Sequence, residues 1–156
     1  MTWAHIHLAV NHLPVLLVPV AIVMLSAAWA KNSAELRTAG LMWLVVAAVA
    51  GGGAYWTGEP AEGVIEDLPG VSKLAIEEHE EAALLAAVVT GVAGLLAIGA
   101  LVTGRGFVPT PAWMLATTFA VALLAAALMA RTANLGGGIS HPEIRGPAAA
   151  TVRPPT

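Results

Sequence analysis

A chain of 156 residues that is 58% hydrophobic and only 11% charged is too apolar for a water-soluble domain of its size. The net charge of −3, with no basic cluster, excludes nucleic acid as an expected partner. The absence of cysteine excludes disulfides, thiolate-bound clusters and covalent c-type haem, so any metal must rely on His, carboxylate, Met or backbone oxygen.

The charges divide the sequence into blocks. No Asp, Glu, Lys or Arg falls between Thr2 and Ala30, Thr38 and Gly58, Ala82 and Gly104, or Gly106 and Ala130, and each stretch holds at least 21 residues. About 20 apolar residues cross a bilayer as a helix. Four transmembrane helices are therefore expected at about 8–30, 39–57, 82–102 and 112–130, giving an all-α four-helix transmembrane bundle over residues 1–134 and a surface tail over 135–156 that carries His141. A soluble bundle would need polar outer faces, which these segments lack.

The first segment opens with His5-Ile-His7-Leu-Ala-Val-Asn-His12, three of the five histidines in eight residues. Its end, Ala28-Trp29-Ala30 before Lys31, has the small-residue form of a signal-peptidase site. Residues 1–7 contain no Lys or Arg, however, and the apolar run exceeds a signal core, so a retained span is expected. His5 and His12 lie seven residues apart and share a helix face, with His7 turned away from both. Pro14 and Pro19 follow in the same helix, and Pro19 is expected to bend it or free carbonyl groups.

Between the second and third spans, residues 58–81 carry eight acidic residues, including Glu59, Glu62, Glu78 and Glu80. The Glu77-Glu78-His79-Glu80-Glu81 run is expected at the start of the third helix, where carboxylates complement the helix dipole. Below His79, Ala83, Ala87 and Gly91 form a small-residue ridge that allows close approach of a helix or a flat ligand. After the fourth span come Gly136-Gly137-Gly138, His141 and a Pro-rich end.

An even number of spans puts both termini and the long acidic connection on one membrane side, and with them all five histidines. The short connections, with Lys31, Arg37 and Arg105, are assigned to the cytoplasm, which makes the termini periplasmic in a bacterial inner membrane. His12 and His79 then fall at matching depths on parallel helices. A polar ring inside an apolar run is costly without a partner. A lone interfacial histidine, in contrast, is ordinarily an amphipathic side chain at its preferred depth.

Two cofactor chemistries suit this pattern. Haem b needs one or two imidazoles projecting from facing helices and no cysteine; His12 and His79 are the expected axial ligands, with His7 and His141 as further cofactor-binding candidates. The alternative is copper or zinc held by imidazole with carboxylate help, drawing on His5, His12, His79, His141, Glu78 and Glu80. Neither Glu-x-x-His nor His-Glu-x-x-His occurs, which argues against a di-iron centre. A third possibility is a non-catalytic membrane subunit that docks a larger complex or forms a homo-oligomer. Expected partners are the lipid bilayer and a quinol or redox protein.

Three stretches, HLAVNHLPV (7–15), TGEPAEGVIEDLPGVSKLAIEEHEEAA (57–83) and NLGGGISHPEIRG (134–146), together resemble a family of small bacterial four-span membrane proteins grouped as a domain of unknown function. The motif residues are His7, Asn11, His12, Pro14, Glu59, Glu62, Glu78, His79, Glu80, His141, Pro142 and Glu143. The resemblance implies association with redox and cytochrome-type modules, and so favours haem over the metal alternative.

Overall fold

The computed structural model describes residues 1–104 and 110–141, which form four α-helices: α1 (Trp3–Lys31), α2 (Ala34–Ile65), α3 (Lys73–Thr103) and α4 (Ala112–Ser140). All four are long and apolar enough to cross a membrane. The chain is thus an all-α four-helix bundle of the membrane-spanning type.

Helices α2, α3 and α4 are each longer than their charge-free stretches. At 1.5 Å per residue the 32 residues of α2 span about 48 Å, against a hydrocarbon core of about 30 Å. The acidic connection expected to be a loop is therefore mostly helix, with only 66–72 outside α2 and α3. Pro60 sits within α2 without ending it, as Pro14 and Pro19 sit within α1. The acidic run 77–81 consequently lies beyond the first turn of α3, which contains no acid. Helix α4 likewise continues through the glycine triplet to Ser140, past the tail boundary at 134.

Local chemistry explains the turns. Asn32 ends α1 in the left-handed conformation (φ 49°), its N–H donating to the Ala28 and Trp29 carbonyls. Ser33 then caps α2 by accepting from the Leu36 N–H at 3.2 Å. Ser72 caps α3 through the Ala75 N–H, and Gly70, at φ 87°, supplies the turn before it.

Neighbouring helices pack in the cyclic order α1–α2–α3–α4, with the α1–α4 seam the loosest, so α1 and α3 are diagonal to one another. Inward positions recur at alternating three- and four-residue spacing, as in Pro14, Val18, Ala21, Leu25 and Ala28 of α1. The interior is small: Ala47, Ala86, Ala93, Ala97, Ala122 and Ala125 are all buried, whereas Leu16, Val23, Val49 and Leu95 point outward. The seam side of α3 is Ala82, Ala86, Thr90, Ala93/Gly94 and Ala97, one residue away from the expected Ala83/Ala87/Gly91 ridge. At Gly94 a Cβ would lie 2.5 Å from the Ala48 Cβ, while around Gly91 there is open space.

Candidate functional site: paired imidazoles at one end of the bundle

The inward face of α1 continues upward from Pro14 to Asn11 and His7, three and seven residues earlier. His7 is half-buried, and its Nδ1 lies 3.1 Å from Thr57 Oγ1 of α2. The Thr57 hydroxyl is committed as a donor to the Gly53 and Ala54 carbonyls, at 3.0 and 3.1 Å. With its one proton on either carbonyl, its oxygen accepts from the imidazole, an assignment that places the ring proton on His7 Nδ1.

His79, on the diagonal helix, repeats this arrangement. Its Nδ1 is 3.0 Å from the Thr132 carbonyl oxygen of α4. A carbonyl can only accept, so Nδ1 again carries the proton. Both of these hydrogen bonds use Nδ1, so in each neutral ring the lone pair is on Nε2. Both rings stand near the N-terminal ends of their helices, at the same end of the bundle. The ring of His79 is seated against Gly136, where a Cβ would come within 2.9 Å of Cε1 and 3.2 Å of Nδ1. Gly58 stands 3.8 Å, by the same measure, from His7 Cε1.

One turn deeper on the His7 face is Asn11, whose side-chain Oδ1 is buried without a hydrogen-bond partner. An unmade bond at a buried oxygen costs about 1–3 kcal/mol, so this atom is poised to accept from a bound group or water. Edge-to-face contact of Trp3 with Trp56, centroids 6.3 Å apart, ties α1 to the α2 extension at the same end.

The expected pairing of His12 with His79 does not form. His12 is exposed, and its Nδ1 donates to the Leu8 carbonyl of its own helix at 2.6 Å. The reason is angular: Asn11 faces the interior, and the next residue lies about 100° around the helix. His5, also exposed, has its Nδ1 2.7 Å from Thr2 Oγ1. His141, exposed, ends α4, its N–H donating to the Gly137 carbonyl at 2.9 Å. Glu59, Glu78 and Glu80 are exposed, and the Glu62 side chain meets that of Glu80 between the α2 and α3 extensions. Pro142 and Glu143 lie outside the described residues. No three His, Cys, Asp or Glu side chains gather as a metal-ligand group among the described residues.

Thr57, Thr132 and Gly136 are site residues that spacing alone did not select. Asn11 was readable, standing four residues after His7 and hence on its face. Comparison with protein-family models, with curated proteins and with solved structures finds no match.

Proposed function

We propose that this chain is a b-type-haem-binding subunit of a bacterial inner membrane that transfers electrons on one face, with His7 and His79 as the ligand pair. One observation carries the reading. Imidazoles from diagonally opposed helices each bind an oxygen of a neighbouring helix through Nδ1, leaving a lone pair on Nε2. Iron-ligating histidines require this arrangement, because the outer hydrogen bond fixes tautomer and ring orientation. The donor set thus fits the group.

Haem, when bound, supplies one-electron redox chemistry. The chain's own residues do the rest: Thr57 and the Thr132 carbonyl hold the rings, Gly136 gives His79 the room to sit where it does, and Asn11 Oδ1 offers an acceptor one turn inward. Both ligands sit at one edge of a hydrocarbon core about 30 Å thick, so exchange with a quinol or redox protein is confined to that face, read as periplasmic.

Oxidised and reduced absorption spectra of the purified full chain test this. A Soret band is expected that is lost or shifted in His7→Ala and His79→Ala and kept in His12→Ala. The absence of any Soret band, or its loss in His12→Ala alone, would overturn the assignment. Co-purification with a larger complex and no visible absorption would instead favour a docking subunit.

A further inference from the structure

At the end of the bundle opposite the histidines, the structure holds two cavities that both use Arg37. The smaller, about 80 Å³, reaches Leu25, Trp29 and Phe119. The larger, about 400 Å³, is a groove between α2 and α3 lined by Leu41, Val45, Val46, Ile98 and Leu101, with Arg37 at its end. That volume falls within the range of about 300–1,000 Å³ typical of small-molecule sites. Val46 and Ile98 are exposed on its rim, so the groove opens sideways, toward lipid.

Depth and charge define the occupant. The groove wall belongs to the charge-free stretches of α2 and α3, so its occupant there must be a hydrocarbon chain. Arg37 stands immediately before the charge-free stretch that begins at Thr38, at the level of lipid headgroups. Its guanidinium has no ion pair or hydrogen bond among the described residues, where Lys73–Glu66 is the sole ion pair. Glu35, the nearest acid in sequence, is instead engaged by the Ser33 hydroxyl at 2.8 Å. Arg37, half-buried as a residue and with an unpartnered guanidinium at the head of an apolar groove, matches one chemistry: a phosphate, held through the planar fork of the arginine, with an acyl chain attached.

We propose that this groove is a specific site for one anionic phospholipid, its phosphate on Arg37 and an acyl chain between α2 and α3. The site is independent of the haem reading and lies at the other end of the molecule.

The test is native mass spectrometry of the full chain released from phosphatidylcholine vesicles that contain a minority of phosphatidylglycerol. One phosphatidylglycerol is expected to stay with each chain, well above its share of the bilayer. Arg37→Gln should lower that enrichment about tenfold, the loss of a charged hydrogen bond. Val46→Trp, which fills the groove from its lipid side and leaves Arg37 in place, should release the lipid as well. Equal retention of the two lipids by the unaltered chain, undiminished enrichment in Arg37→Gln, or full displacement by inorganic phosphate alone would each overturn the proposal.

Discussion

The distinction between His7 and His12 turns on a single residue position. The eight-residue histidine stretch correctly separates His7 from the face shared by His5 and His12, but it does not say which face looks inward. In water, polarity would answer; in a membrane helix both faces are apolar, and Leu8 and Leu13 beside these histidines are as hydrophobic as anything in the core. What separates them is the partner, Thr57 of α2 for His7 and the Leu8 carbonyl of its own helix for His12, and only the fold brings Thr57 close, as it brings Thr132 to His79. The same closeness makes Gly136 sensitive. A methyl there would push into the His79 ring, so Gly136→Ala should break the bond to Thr132 and sacrifice about 0.5–1.5 kcal/mol of its anchoring. Under the proposed haem assignment, a shifted or weakened Soret band is the expected reading. Gly63→Ala, in open space on α2, should leave the spectrum unchanged.

The four helices themselves were legible from the charge-free blocks, and their order and type hold. Their ends were not, because hydropathy marks where lipid begins, while a helix continues as long as its backbone bonds are met. The extension of α2 through Pro60, and of α4 through three glycines, is held by packing rather than by propensity: Ala61 and Ile139 at these extensions are both buried. The α3 ridge missed its register by one residue for the reason that misled the histidines. Ala83/Ala87/Gly91 and Ala82/Ala86/Thr90 are similarly small, and contact of Gly94, the next position of the second set, with Ala48 selects that one. A pair of substitutions separates the two registers. Gly94→Ala should lower the thermal midpoint in detergent, since overpacking costs about 1–3 kcal/mol, whereas Gly91→Ala should raise it slightly by up to about 1 kcal/mol of helix propensity.

At the scale of the molecule, four spans fix relative sidedness. The chain has two lysines, Lys31 at the end of α1 and Lys73 at the start of α3, and they lie at opposite ends of the bundle. A membrane-impermeant amine reagent applied to sealed vesicles should therefore label Lys73 or Lys31, and never both. Labelling of Lys73 from the periplasmic side would place the histidine end there; labelling of Lys31 from that side would reverse the orientation inferred from positive charge. The topology thus decides which compartment can reach the two imidazoles.

The interior of this bundle is mostly alanine, with threonine, glycine and a few larger side chains such as Val18, Leu25, Leu41 and Leu44, while the tryptophans and many leucines and valines face outward. Lipid tails are as apolar as those outward side chains, so water expulsion contributes little to holding the helices together. Cohesion rests on backbone-to-backbone dispersion, which at a gap of 0.5–1 Å has already lost about a quarter to a half of its depth. Such an assembly has no comfortable half-open state. It is closed along a seam such as Ala48–Gly94, or it is apart, and any swelling needed to admit a ligand must be confined to the loosest seam, between α1 and α4.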